Sequence, residues 1–226
     1  MTFSTISIIF LSLFIGLSAV NCSKLKYRAG GKVEVFTKPL ILISLLFFYS
    51  AMLKANVPAP QRQWDIKTAM IFYAIGDFCL IWKDKVKVFA LGILSFVIGH
   101  VFYSFFFLKI KVHHSLIASA IAVILLIPCV LLLRRKLSKT DDPMADKMLP
   151  YGLFIMFLIA SIASTFSSGN FWGSFIATAG GALFALSDSM IGIRVTGQKI
   201  LPGEPIMITY TAAQLCLVAG ALLIQL

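Results

Sequence analysis

The chain has 226 residues, 59% of them apolar and 13% charged, with a mean hydropathy of +0.94. These values exclude a soluble globular domain and place the chain among polytopic membrane proteins. Its net charge of +11 does not indicate nucleic-acid binding, because the basic residues are dispersed over short loops and not gathered on one folded face.

Apolar runs near 20 residues, long enough to cross roughly 30 Å of hydrocarbon at about 1.5 Å per residue, occur eight times. In chain order they cover about 3–20, 37–53, 66–82, 88–108, 114–133, 149–166, 171–193 and 205–225. They predict one all-α membrane domain over 1–226, a bundle of eight transmembrane helices. The first run ends in small residues at Ser18 and Ala19, as a signal peptide would. It lacks a basic leader segment, and Asn21 before Cys22 spoils a lipoprotein-type cleavage site, so a retained helix is expected. Between runs six and seven, Ser167, Ser168, Gly169 and Asn170 make a tight turn, which predicts antiparallel neighbours. Cys22, Cys79, Cys129 and Cys216 show no paired spacing, and neither a disulfide framework nor a metal site is indicated. Gly30-Gly31 and Gly180-Gly181 lack phosphate-loop spacing and read as a turn and a packing contact.

Lys and Arg near span ends stay on the cytoplasmic side. The loops after spans one, three, five and seven carry 14 of them and the loops after spans two, four and six carry 4. Both termini are therefore predicted to be non-cytoplasmic.

Two of the nine acidic residues, Asp77 and Asp188, sit inside apolar runs. A carboxylate in hydrocarbon costs several kcal/mol unless it is protonated, paired or facing a wet cavity, so each is a functional-site candidate. Asp77 precedes Lys83 by six residues and Asp188 precedes Arg194 by six, which places each about 9 Å inside the cytoplasmic end of its helix. Tyr210 and Gln214 enter from the same side on the last span. Lys38 and Tyr151 stand at the cytoplasmic mouths of spans two and six, and His100 lies deeper. Ala177, Gly181, Ala185 and Asp188 share one helix face, whose small residues favour close packing and an inward Asp188, with Ser187 beside it. Phe96, His100, Tyr103 and Ser104 form a similar stripe on span four, and Tyr210 and Gln214 are four apart on span eight.

Each of these residues also has a plainer reading. Either aspartate could only tie two helices together, His100 could bridge helices, Lys38 could snorkel to headgroups and Tyr151 could belong to an interfacial belt. His113 and His114, at the outer end of a span, read as solvated interfacial residues.

Lys38-Pro39-Leu40, Gly76-Asp77 with Leu80, Phe96-x-x-x-His100-x-x-Tyr103, Ser187-Asp188 with Ile191, and Tyr210-x-x-Ala213-Gln214 follow one another on successive helices. In this order they resemble the YhhN, or lysoplasmalogenase, family, over about Lys38 to Gln214. Thr211 departs from the pattern, since family members often carry a second aromatic there. The resemblance implies hydrolysis of the vinyl ether bond of a lysoplasmalogen, releasing a fatty aldehyde and glycerophosphoethanolamine or glycerophosphocholine.

That chemistry needs an acid to protonate the alkene, a water, and a charge to stabilise the oxocarbenium ion. Asp77 and Asp188 fit the acid and base roles, as paired carboxyls divide labour in glycoside hydrolysis. Lys38 would hold the phosphate, and Tyr103, Tyr151, Ser187, Tyr210, Gln214 and His100 would line the substrate site. No cofactor or metal is required. The expected substrate is a lysophospholipid entering from the inner leaflet of a cell membrane or the endoplasmic reticulum, with the site toward the cytoplasm. The alternatives are a proton-coupled transporter, against which the sequence shows no internal repeat, and a lipid-binding membrane protein.

Overall fold

The computed structural model describes residues 2–23, 32–59, 64–82, 85–110, 114–137, 143–167, 169–195 and 203–225. His113, Ser168, Gly30-Gly31 and the loop residues Lys24, Lys26, Arg28, Arg62, Lys83, Lys111, Lys139 and Lys199 lie outside them. Among the described residues there are eight α-helices and no strand: α1 (Thr5–Cys22), α2 (Lys32–Asn56), α3 (Asp65–Cys79), α4 (Val86–Lys109), α5 (Leu116–Leu137), α6 (Pro143–Ala163), α7 (Phe171–Val195) and α8 (Gly203–Gln225). Each falls on one of the predicted apolar runs.

Six of these helices contain stretches long and apolar enough to cross a membrane. The other two fall short for different reasons. α3 has 15 α-helical residues, about 22 Å of rise, before it tightens into a 3₁₀ turn over Leu80–Trp82. α5 is apolar only over Leu116–Leu132, about 26 Å, before Arg134, Arg135 and Lys136 begin.

Local chemistry explains several boundaries. Ser4 caps α1, its hydroxyl accepting from the Ser7 N–H at 3.2 Å. After α6 the chain makes a 3₁₀ turn over Ser164–Ser167, passes through Gly169 at φ +85°, and starts α7 after Asn170. Glycine tolerates that left-handed conformation without steric cost. Asn170 Oδ1 accepts from the Gly173 N–H at 3.0 Å, and its amide donates to the Leu223 carbonyl at 2.5 Å, so the turn is also tied to α8. α6 and α7 pack against each other, as the tight turn requires.

The chain divides into two compact units, one formed by Met1–Phe106 with Gln225–Leu226, the other by Phe107–Ile224. In the first unit α1 lies against α2, with Phe10 stacked on Phe47 at 5.0 Å and Asn56 bonded to Thr2. α3 and α4 approach closely where Gly76 leaves room for the Phe96 ring. In the second unit Gly220 admits the backbone of α7 at Ala177, and Gly181 admits Ile159 of α6. The Gly180-Gly181 pair is thus a packing contact. His114 differs from the expected solvated residue. It is half-buried, and its Nδ1 shares a hydrogen bond of 2.8 Å with the Ser164 hydroxyl, which joins the start of α5 to the turn after α6.

Candidate active site

In the first unit α2 and α3 run antiparallel, so the start of one meets the end of the other. Lys38, in the second turn of α2, brings its ammonium to 3.8 Å from Asp77 Oδ1. Asp77 is 2% exposed and the Lys38 side chain 12%, so both charges are largely withdrawn from the surroundings and balance each other. The pair answers the cost of burying a carboxylate. At 3.8 Å it is an electrostatic contact and not a hydrogen bond.

One turn before Asp77 on α3 is Tyr73, fully buried. Its hydroxyl shares a hydrogen bond of 2.8 Å with His100 Nδ1 on α4, and the Tyr73 ring stacks on Tyr103 with centroids 5.5 Å apart. Phe96 closes the group, its centroid 5.5 Å from that of Tyr73. The stripe read on span four therefore packs around a tyrosine that the sequence reading did not single out. A signal existed, since Tyr73 and Asp77 are four apart and share a helix face. The Tyr103 hydroxyl is buried with no hydrogen-bond partner among the described residues.

Tyr73→Phe removes the shared hydrogen bond while keeping the ring. It is expected to lower stability by about 1–3 kcal/mol, the usual penalty for stripping a buried polar atom of a partner, visible as a lower melting temperature in detergent.

In the second unit the corresponding helices are α6 and α7. The Tyr151 hydroxyl, in the third turn of α6, donates to Asp188 Oδ2, two turns before the end of α7. Both are half-buried and line a small cavity of about 60 Å³ with Leu126, Ile155 and Gly192. A volume of that size holds about two waters, and the carboxylate and phenol supply polar partners for them. Tyr151 is thus directed at Asp188. Tyr151→Phe is expected to cost about 1–3 kcal/mol of stability, because the Asp188 carboxyl loses its donor, and the measurement is the melting temperature in detergent.

The remaining predicted residues sit on or beside α8. The Ser187 hydroxyl donates to the Ile206 carbonyl at 3.1 Å, joining α7 to α8. Tyr210 is buried, its ring edge-on to Phe184 at 5.6 Å. Gln214 is fully buried, and neither of its amide atoms has a hydrogen-bond partner among the described residues. The Thr211 hydroxyl turns back to the Met207 carbonyl of its own helix at 2.9 Å. Among the described residues no three His, Cys, Asp or Glu side chains converge as a metal site would require.

The two units share a layout that the sequence did not reveal. Each contributes four helices in order, each carries its aspartate on the third, and each partners that aspartate from the first half of the second, beside a proline: Lys38-Pro39 and Pro150-Tyr151.

Six long apolar helices, together with one buried and one half-buried aspartate each held by a polar side chain of the preceding helix, define a multi-pass α-helical membrane protein. The chain belongs to the YhhN family, whose profile matches residues 33–221, that is, from the first turn of α2 to the last turns of α8. No curated protein and no solved structure matches it.

Proposed function

We propose that this protein is a membrane-embedded lysoplasmalogenase, hydrolysing the vinyl ether of a lysoplasmalogen to a fatty aldehyde and glycerophosphoethanolamine or glycerophosphocholine. The observation that carries the reading is the provision made for each intramembrane carboxyl, an ammonium beside Asp77 and a phenol on Asp188. Family membership supports it. In this reading all eight helices cross the bilayer, both termini are outside the cytoplasm, and substrate enters from the inner leaflet of a plasma or endoplasmic-reticulum membrane.

The reaction has two stages. An acid delivers a proton to the alkene carbon remote from the ether oxygen, the adjoining carbon becomes an oxocarbenium ion, and a base takes a proton from the water that adds to it. In the hemiacetal so formed, the glycerol oxygen receives the proton held by the base and leaves, while the hemiacetal hydroxyl returns its proton to the acid, giving aldehyde, alcohol and the starting protonation states. Asp77 and Asp188 are the two carboxyls proposed for these roles. Tyr151 orients Asp188. Tyr103, His100, Ser187, Tyr210 and Gln214 serve as polar or shaping groups around substrate and water.

A second reading, a proton-coupled carrier, draws on the four-plus-four layout, since internal structural repeats are common in transporters and intramembrane aspartates relay protons. Aldehyde release by purified protein in detergent micelles separates the two, because micelles offer no second compartment. Turnover there is the expected result. Absence of aldehyde, together with pH-gradient-dependent uptake in vesicles, would favour the carrier.

A further inference from the structure

The two units share one register, with second-unit positions 111 residues after their first-unit counterparts. Ser4 caps α1 by accepting from the Ser7 N–H, and Ser115 caps α5 by accepting from the Ala118 N–H at 3.1 Å. α1 starts at Thr5 and α5 at Leu116, α2 at Lys32 and α6 at Pro143. Pro39 and Pro150, Asp77 and Asp188, and Gly92 and Gly203 fall on the same register. Burial follows it too. On α4, Phe96, Gly99, His100, Tyr103, Phe106 and Phe107 are buried, and so are their α8 counterparts Met207, Tyr210, Thr211, Gln214, Leu217 and Val218. On α3 the buried Ile66, Ala69, Met70 and Tyr73 match the buried Ala177, Gly180, Gly181 and Phe184 of α7.

The register makes the second unit an internal control for the first. In both units the same aromatic position of the third helix meets the same position of the fourth. A Cβ on Gly99 would stand 2.3 Å from the Tyr73 ring, and the Tyr210 ring lies edge-on to Phe184 with centroids 5.6 Å apart. The polar chemistry at this contact differs. Tyr73 and His100 share their hydrogen bond of 2.8 Å, whereas Phe184 has no hydroxyl and Thr211 turns its own to the Met207 carbonyl. The second unit therefore packs the same pair of helices without that bond. Burying a phenol and an imidazole is not the least costly way to fill the position, since their hydrogen bond returns little more than their desolvation costs.

We infer that the Tyr73–His100 bond belongs to the site of the first unit and not to its packing, and that Tyr73 is a positioning residue acting through His100. The role rests on the lysoplasmalogenase reading, in which His100 is one of the polar groups around substrate and water, and adds the group that fixes its ring. A hydrogen bond on one imidazole nitrogen sets both the ring orientation and which nitrogen carries the proton. Tyr73 suits that task because its own ring is held by Tyr103 and Phe96, each with centroids 5.5 Å away, so the hydroxyl is aimed before it bonds. Tyr73 also shares a face of α3 with Asp77, one turn away, so the bond ties His100 to the helix that carries the carboxyl.

The test compares the full-length wild type, Tyr73→Phe and the double variant Tyr73→Phe with His100→Leu. Each is measured by melting curve, by steady-state kinetics on a lysoplasmalogen in detergent, and by nitrogen-15 NMR of histidine-labelled protein, in which the His100 signals are those that the double variant lacks. Tyr73→Phe takes a partner from a buried imidazole and should melt lower than the wild type. The double variant removes both polar groups at similar volume and should melt near the wild type, because deleting both partners of a buried bond is close to neutral. Turnover should not recover with it: kcat is expected to fall about 10- to 100-fold in both variants with KM little changed, the loss that misplacing a group in a site brings. The His100 ring should hold one tautomer in the wild type and exchange between two in Tyr73→Phe. Recovery of kcat together with the melting temperature in the double variant would make the pair a helix tie and overturn the proposal. A double variant melting below the single one, or an unchanged kcat in Tyr73→Phe, would overturn it as well. A wild type that releases no aldehyde would remove the lysoplasmalogenase reading, and the ring signals would then decide alone: an unchanged tautomer in Tyr73→Phe overturns the positioning role, and a lost one keeps it.

Discussion

Asp77→Asn is expected to lower aldehyde release by about 100- to 10,000-fold, the range that general acid–base groups supply, while leaving the protein folded. Asn keeps the shape of the side chain and removes only its charge and its ability to carry a proton. The side effect to control is Lys38, which is 12% exposed and loses its counter-charge. Lys38 stands near the start of α2, and its four-carbon stem lets the ammonium move toward headgroups. The double variant Lys38→Met with Asp77→Asn separates the two roles. If Asp77 only balances Lys38, removing both charges together restores turnover, because replacing a buried ion pair by apolar groups is often neutral or stabilising. An acid–base role predicts that the double variant stays as inactive as the single one. Kinetics on both, with melting curves alongside, distinguish these outcomes.

The largest effect on stability is expected at Gly220. A Cβ there would stand 2.5 Å from the Ala177 backbone nitrogen and 2.6 Å from the Gly173 carbonyl oxygen. Backbone atoms of a neighbouring helix cannot rotate aside as a side chain can, so α8 must move away from α7. Helix association in a membrane rests on such close packing, since lipid is as apolar as the helix surfaces it replaces. Gly220→Leu is expected to cost about 3 kcal/mol, the upper part of the usual overpacking range, and to lower the melting temperature in detergent. Separation of α7 from α8 would also stretch the Ser187–Ile206 bond, so turnover should fall with it. Gly16 is the control: a Cβ there meets nothing within 4 Å, and Gly16→Leu should leave the melting temperature unchanged.

Most of the fold is legible in the sequence because hydropathy alone locates spans. All eight apolar runs are helices, and the polar break after Ser167 is the turn that Gly169 and Asn170 require. Legibility stops at pairing. These helices are apolar around their whole circumference, since one face meets lipid and the other meets protein. Ile71 and Leu125 are 49% and 69% exposed, while Leu42 and Leu45 are fully buried, yet composition does not separate them. With so little amphipathic contrast, spacing tells which residues share a face but not what that face touches.

The aspartates were therefore legible and their partners were not. Lys38 and Tyr151 could each be placed only at a helix mouth, where headgroup snorkelling and interfacial belts are equally good explanations. Tyr73 was missed because it is one aromatic in a run of apolar residues, and only the turn of α3 toward α4 aligns its hydroxyl with His100. The two helices that fall short of a span have separate causes: the 3₁₀ turn after Cys79 ends α3 early, and the basic end of α5 cuts the apolar stretch that hydropathy draws at full length.

Protonation of carbon distinguishes vinyl ether hydrolysis from every alternative considered. The most direct measurement is to incubate the purified protein with a lysoplasmalogen in heavy water, trap the aldehyde as it forms and weigh it by mass spectrometry. The acid–base account predicts an aldehyde carrying one deuterium on the carbon next to the carbonyl, formed by the wild type and lost in Asp77→Asn and Asp188→Asn. An aldehyde without deuterium, or no aldehyde from folded protein, would contradict it.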